Sequence, residues 1–257
     1  MVMDDYDSSQ ADTRLLAGDQ GQGKTNTAVA LVVDDCYSHL TGLINPHTGE
    51  YFKARPLNEP EVQSLQVRKI AYNPLRHVRV FNSDGSSKII DKHKQFNGWA
   101  IDCPVKVFCN FHLYGMRFKY IDENFIIENI NDDVLTNAWL VMDESILTDK
   151  QDTMTKAGKM VSKFGAQGRR RKLHTIIIAQ YPDMINSRFV RFATTRVQCS
   201  YDKYTHTIEL DVNRNSEFMT STSFYAPDYW KFYKHDELVK IPQRVVDGFL
   251  EESYKSR

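Results

Sequence analysis

Several features that would assign a sequence to a membrane or secreted class are missing here. No apolar run approaches the ~18–20 residues that cross a bilayer, and the start Met1–Asp5 is too acidic for a signal or transit peptide. The four cysteines show no C-x-x-C spacing, which favours reduced thiols in an intracellular setting. The length of 257 residues and the hydrophobic share of 41% predict a globular chain of one or two domains.

The sequence also lacks a net charge, because 33 basic residues balance 33 acidic ones, yet the charges are segregated. Residues 122–149 hold eight acids and no Lys or Arg, whereas residues 153–182 hold seven bases and no acid. This pattern predicts distinct faces, of which the basic one is able to meet a polyanion. Two solvated surfaces without a partner are the alternative interpretation.

One motif stands out against this background, since Gly18–Thr25 matches the phosphate-loop pattern G-x-x-x-x-G-K-[ST] in full. The glycines let the backbone curl so that its N–H groups point at a phosphate. Lys24 is expected to reach the β- and γ-phosphates, and the Thr25 hydroxyl to ligate Mg²⁺. The predicted contacts to the nucleotide come from Gly18, Gly21, Gln22, Gly23, Lys24 and Thr25.

The residues around the loop fit this interpretation. Arg14–Ala17 predicts a short buried strand leading in, and Thr27–Val33 an apolar helix leading out. That helix would direct the positive end of its dipole at the phosphates. Asp19 is unusual in a phosphate cradle, and we expect its side chain to point outward. The sequence therefore predicts a protein that binds a nucleoside triphosphate.

A second apolar strand, Ala138–Met142, ends in Asp143 and Glu144. We expect Asp143 to hold the Mg²⁺ shell and Glu144 to polarise the attacking water as general base. Kinases and simple switch GTPases usually lack the adjacent glutamate, whereas motor-type ATPases have it. The alternative is an ordinary core strand that is followed by two polar residues without a role in chemistry.

A third apolar strand, His174–Gln180, is the β-branched run expected at the centre of a parallel sheet, so the fold class is predicted to be α/β. If this strand lies between the loop strand and the Asp143 strand, the Gln180 amide would sit near the γ-phosphate and sense the nucleotide or orient water. An ordinary polar residue at a strand end is the alternative.

Three arginines, Arg169, Arg170 and Arg171, precede that strand. One of them could reach a neighbouring subunit's γ-phosphate as a finger in trans. They could instead contact DNA phosphates or form a solvated turn. Arg188 and Arg191 are rivals for either role.

The remaining sequence suggests one P-loop ATPase domain over 1–257 with three additions. Residues 1–11 predict a flexible acidic tail, residues 42–100 an insertion, and residues 213–257 a C-terminal β and aromatic extension. Within the insertion, Val78–Phe81 and Lys88–Ile90 flank a turn and predict a β-hairpin. Helices are predicted around 123–135 and over 153–168, and Thr207–Val212 alternates as an edge strand would.

The ordered set of motifs resembles the FtsK–HerA superfamily, and within it the small viral and phage genome-packaging ATPases. The likeness spans about residues 12–200 and rests on Gly18–Thr25, Val107–Leu113, Trp139–Glu144, Gly168–Arg171 and Ile176–Gln180. These motifs are shared among many P-loop motors, so they point to the superfamily more strongly than to packaging.

The resemblance implies a RecA-like core of the additional-strand, catalytic-glutamate type. It also implies a homo-oligomeric ring that hydrolyses ATP with Mg²⁺ at subunit interfaces and moves double-stranded DNA, whatever its sequence. A capsid or portal-vertex partner and a place in the host cytoplasm or at the packaging vertex would follow, without stable membrane insertion. The alternatives are a cellular or plasmid translocase, a morphogenesis NTPase of the zonula occludens toxin type and, less in keeping with Glu144, a small-molecule kinase.

Overall fold

The computed structural model describes residues 12–122, 125, 128–129, 133–143, 170–180 and 193–234. Within them the chain forms the helices α1 (Lys24–Ser38), α2 (Glu59–Val67) and α3 (Lys92–Gln95). Its strands are β1 (Thr13–Ala17), β2 (Gly42–Ile44), β3 (Tyr51–Pro56), β4 (His77–Phe81), β5 (Ser87–Asp91), β6 (Ala100–Asp102), β7 (Lys106–Cys109), β8 (Lys119–Tyr120), β9 (Ala138–Asp143), β10 (Leu173–Ile178), β11 (Thr195–Asp202), β12 (Thr207–Arg214) and β13 (Glu217–Tyr225).

A mixed, mostly parallel sheet forms the centre of the molecule, with the strand order β13-β12-β11-β1-β10-β9-β7-β8. The strands from β11 to β8 are parallel, and β12 and β13 run antiparallel at one end. The innermost strands carry apolar residues on both faces, because both faces are covered. The predicted α/β class and the mostly parallel sheet are confirmed.

The sheet order also answers a question that the sequence left open. β10 pairs with β1 on one side and with β9 on the other, so it is the additional strand between the loop strand and the acid-bearing strand. This is the order expected of a RecA-like core. It brings the carboxyl ends of all three strands to one edge of the sheet.

Helix α1 follows the phosphate loop and packs between two sheets. Most of its residues are buried, and they share a core cluster with one face of the central sheet and with strands of a second, five-stranded sheet. A helix covered on nearly all sides has no wet face, which explains the uniformly apolar run at Thr27–Val33. None of the helices in the described part of the chain is long and apolar enough to cross a bilayer.

The second sheet is antiparallel, has the order β5-β4-β3-β2-β6 and spans the predicted insertion, with β6 ending two residues beyond it at Asp102. The predicted hairpin is present as β4 and β5. In its turn, the Asn82 carbonyl oxygen accepts a hydrogen bond from the Gly85 N–H, and the Asn82 N–H donates one to the Ser86 carbonyl oxygen. The division of the chain into domain, insertion and extension stays a prediction.

The prediction for Thr207–Val212 was right about its faces and wrong about its position. Ile208, Leu210 and Val212 are buried and alternate with less buried residues. The strand is not at the edge, because β13 pairs along its whole length. β13 falls in the segment predicted as a β and aromatic extension, but it is mostly exposed on both faces, so no alternation of buried and exposed residues marked its bounds. Of the predicted helix around 123–135, the described residues 125, 128 and 129 are α-helical and Asp133–Leu135 form a 3₁₀ turn. The predicted helix over 153–168 lies outside the described residues.

Candidate active site

The phosphate loop connects the end of β1 to the start of α1, as the motif requires. Gly23 is the N-cap residue of α1 and has a φ of 81°, and a Cβ there would lie 2.5 Å from the Ile208 side chain. At Gly18, with a φ of 143°, a Cβ would lie 2.8 Å from the carbonyl oxygen of Cys199. Both positions therefore need glycine for backbone conformation and for space.

Lys24 is buried, and its side chain crosses the loop. Its ammonium group donates to the carbonyl oxygens of Gly18, at 2.7 Å, and of Asp19, at 2.9 Å. The Asp19 side chain is exposed, as predicted for an acid in a phosphate cradle. The ammonium group is thus held among the backbone groups of the loop, where it would meet a bound phosphate.

Thr25 and Asp143 lie far apart in the sequence and adjacent in the fold. The Thr25 hydroxyl donates to Oδ2 of Asp143 over 2.9 Å. Both residues line the same cavity. Hard cations such as Mg²⁺ prefer oxygen ligands of this kind, so the hydroxyl and the carboxylate fit the metal that the sequence predicts. When bound, Mg²⁺ would neutralise charge on the β- and γ-phosphates.

A residue that the sequence did not single out holds Asp143 in place. Asn110, at the end of β7, is buried and makes two hydrogen bonds to the backbone of Asp143. Its amide nitrogen donates to the Asp143 carbonyl oxygen and its amide oxygen accepts from the Asp143 N–H, each over 2.8 Å. A single Asn at a strand end has no pattern that would reveal this role, although it falls inside the predicted strand motif.

The loop opens into a cavity of about 350 Å³ with two chemically different walls. One wall is polar and belongs to the loop, α1 and Asp143. The other is mainly apolar and aromatic, with contributions from Phe111, Tyr201, Ile208, Ala226, Trp230 and Tyr233, and Lys234 also lines the cavity. The sequence predicted this segment only as a C-terminal β and aromatic extension. In the structure its residues also wall the predicted nucleotide site, a contact over about 200 residues of sequence that no local pattern signals.

Tyr233 lies close enough to Asp143 for the aspartate to affect the pKa of the tyrosine phenol. Burial raises the pKa of the Tyr233 phenol well above its usual range, and the nearby Asp143 carboxylate raises it further. The phenol therefore stays neutral over the physiological range.

Gln180 follows β10, at the same sheet edge as the loop and Asp143. The condition set for its role, that its strand lies between β1 and β9, is met. Gln180 is half-buried and is not among the described residues that line the cavity. Its sensing role stays a prediction.

Arg170 and Arg171 lie at the opposite edge of the sheet. They occupy the turn before β10, where the Arg171 carbonyl oxygen accepts from the Asn137 N–H over 2.8 Å. Because β10 is parallel to β1 and six residues long, this turn is about 20 Å from the loop edge. Neither arginine can reach the phosphates bound by its own loop. Glu144, Arg169, Arg188 and Arg191 lie outside the described residues.

The loop, the acid and the strand between them define an α/β fold of the RecA-like P-loop type. No protein-family model matches the chain, and no curated protein is similar to it in sequence. Among solved structures, the chain is similar to the N-terminal domain of zonular occludens toxin from Neisseria meningitidis. The identity is 11% and the TM-score 0.49, over 88% of this chain and 100% of that one.

The chain is also similar to two further solved structures. The genome packaging NTPase B204 from Sulfolobus turreted icosahedral virus 2 is 11% identical with a TM-score of 0.38, over 83% of this chain and 96% of that one. The pCW3 conjugation coupling protein TcpA is 8% identical with a TM-score of 0.44, over 86% of this chain and 62% of that one. Likeness at this level concerns the fold alone.

Proposed function

We propose that this chain is an ATP-driven translocase of double-stranded DNA that packages a viral genome. In this proposal it works as a homo-oligomeric ring and hydrolyses ATP at the interfaces between subunits. ATP with Mg²⁺ is the cofactor pair, and a capsid or portal-vertex protein is the partner.

The observation that carries the nucleotide part is the hydrogen bond between Thr25 and Asp143. It joins the phosphate loop to the acid of another strand across β10, so the two metal-binding groups of a P-loop motor lie side by side. In this role Lys24 contacts the β- and γ-phosphates. Glu144, next to Asp143 in the chain, acts as general base toward the attacking water.

The interface part of the proposal draws on the two edges of the sheet. The arginine turn lies about 20 Å from the loop of its own chain, by the length of the six-residue β10. An arginine finger from this turn must therefore act on a neighbour, which is the arrangement in a ring. Such a finger can contribute ~10³–10⁵ in rate.

The DNA part draws on the charge pattern. A block of seven bases over 153–182 lies in a chain without net charge and without a recognisable base-reading motif. Phosphate contacts position a protein on DNA without reading its sequence. A ring would present the basic block several times around a central duplex.

A third-strand displacement assay tests this function. The protein is given ATP and a linear duplex that carries a short triplex, and release of the third strand reports movement along the duplex. We expect release to require ATP hydrolysis and to be equal for duplexes of unrelated sequence.

Two variants serve as controls in the same assay. Lys24→Ala should lose both ATP binding and strand release, because it removes the positive charge that contacts the phosphates. Glu144→Gln should bind ATP with Mg²⁺ and yet release almost no third strand, since an amide cannot take a proton from water. Hydrolysis without any strand release by an assembled wild-type protein would contradict the translocase.

A further inference from the structure

The aromatic wall of the cavity belongs to a segment that is fastened to the helix of the phosphate loop. The Asn26 amide, two residues into α1, donates to the Ala226 carbonyl oxygen over 3.2 Å. About two turns further along α1, the Tyr229 hydroxyl donates to Asp34 over 2.8 Å. Near the end of the helix, the rings of Tyr37 and Phe232 meet edge to face at 6.4 Å. Residues 226–233, here called the aromatic strap, are thus fixed relative to the loop.

One aromatic residue of the strap differs from its neighbours. Tyr229, Phe232 and Tyr233 are almost wholly buried, at 7%, 2% and 6% exposed, whereas Trp230 is 38% exposed and lines the cavity. An indole ring left partly in water forgoes the free energy that its burial would contribute. A tryptophan placed at the wall of a ligand cavity is well suited to pack against a flat ligand.

The Trp230 ring is held in a row of rings that leads back to the loop. It meets the His206 ring edge to face at 5.6 Å, and the Tyr201 hydroxyl lies 2.7 Å from Nδ1 of the same histidine. The Tyr201 N–H in turn donates to Oε1 of Gln22, inside the phosphate loop, over 2.8 Å. The orientation of both cavity-lining rings is therefore tied to the loop that would hold the phosphates.

We propose that Trp230 and Tyr201 form the nucleobase-binding wall, against which the base of the bound triphosphate stacks. This inference rests on the nucleotide binding of the proposed function and adds the part of the site that receives the base. Stacking is tolerant of base identity, because every base has a π-face. The wall would anchor the nucleotide without a strong preference among bases.

The test compares a ligand that has a base with one that lacks it. Calorimetric affinities are measured for ATP with Mg²⁺, without DNA, and for inorganic tripolyphosphate, in wild type and in Trp230→Ala. We expect Trp230→Ala to weaken ATP binding roughly ten- to hundred-fold, the range of one base–aromatic stack. Tripolyphosphate binding should stay at the wild-type level.

Matched variants separate stacking from folding. Trp230→Phe keeps a ring and should bind ATP nearly as wild type does, while losing the nucleobase quenching of tryptophan fluorescence that Trp230 would give. Tyr204→Ala removes a ring that is 84% exposed and does not line the cavity, and it should change neither affinity.

Three results would overturn the proposal: wild-type ATP affinity in Trp230→Ala, equal losses for ATP and tripolyphosphate, or full fluorescence quenching in Trp230→Phe. Wild-type protein that binds no ATP at all would instead contradict the nucleotide site and the proposed function with it.

Discussion

At the scale of single residues, the position of Asp143 depends on a neighbour that takes no part in the predicted chemistry. The Asn110 amide bonds to both backbone groups of Asp143, so it fixes the end of β9 against the end of β7. The Asp143 carboxylate then lies within hydrogen-bond reach of Thr25. Residues that orient a metal ligand through hydrogen bonds commonly affect metal affinity or activity strongly when they are replaced.

Removal of this support is predicted to weaken the metal site. In Asn110→Ala both hydrogen bonds to Asp143 are lost, and we expect a roughly 10–100-fold loss in Mg²⁺ affinity or activity. The measurement is steady-state ATP hydrolysis over a range of Mg²⁺ concentrations, with thermal unfolding in parallel. A merely structural role would lower stability and leave the Mg²⁺ requirement unchanged, which would contradict the positioning role.

At the scale of elements, α1 links the phosphate loop to the aromatic strap, and Asp34 is the charged residue in that contact. Burial raises the pKa of the Asp34 carboxyl to about 6, while the hydrogen bond from Tyr229 works in the opposite direction. An aspartate normally titrates near 3.8. The ionised carboxylate is therefore less favourable in the folded protein than in the unfolded chain.

The sign of the pH dependence follows from this shift. The stability that the neutral carboxyl contributes is fully present below about pH 4 and is lost as the pH rises through about 6. Asp34→Asn keeps an acceptor for Tyr229 without the charge, so it should be more stable than wild type at pH 7.5 by about 1–2 kcal/mol, after allowance for partial solvent screening.

Urea unfolding at pH 7.5 and at pH 4.5 checks this difference, which should shrink at the lower pH. Tyr229→Phe is the matched control, because loss of its hydrogen bond should move the titration above pH 6. Equal stability of Asp34→Asn and wild type at both pH values would show that Asp34 carries no such cost.

The same elements show what the sequence could and could not predict. β1, β9 and β10 were predictable because buried parallel strands read as continuous apolar runs, and the loop because its chemistry requires a fixed spacing. The bounds of β13 within the predicted extension were not, since its residues are mostly exposed and show no alternation. The cavity wall was not either, because the contact of Trp230 with the site depends on the path of the chain across α1. The P-loop side of the site was thus open to prediction, whereas its aromatic side required the fold.

At the scale of the whole molecule, the phosphate loop and the arginine turn lie at opposite edges of the central sheet. The loop edge carries the predicted ATP site, and the opposite edge carries Arg170 and Arg171. Within a single chain, the arginine turn is too far from the phosphate loop for its side chains to contact the bound phosphates. If an arginine of this turn completes the site, the active unit is at least a pair of chains.

Mixed assemblies test this consequence. The alanine variant of whichever of Arg169, Arg170 or Arg171 is the finger should bind ATP normally and fail to hydrolyse it. When this variant is mixed with Lys24→Ala, some activity should return, because a mixed ring contains interfaces in which both parts are intact. Confirmed mixed assembly without any recovery would favour a DNA contact or a plain surface role for the arginines.

A ring would also explain how a chain without net charge could bind DNA. The candidates for the channel are Lys159 and Lys163, outside the described residues, and the hairpin flank from Lys88 to Lys94. In this flank Lys88 and Lys94 are exposed, whereas Lys92 is buried and cannot contact DNA. Phosphate contacts release counterions, so affinity for duplex should fall steeply with salt and be nearly independent of sequence.

The most direct test of the central claim is steady-state ATP hydrolysis with and without random-sequence duplex DNA, at low and at moderate salt. We predict that any duplex stimulates hydrolysis by the assembled wild-type protein, and that salt weakens this stimulation steeply. A hydrolysis rate that does not respond to DNA at any salt concentration, in a protein shown to be assembled, would contradict the translocase.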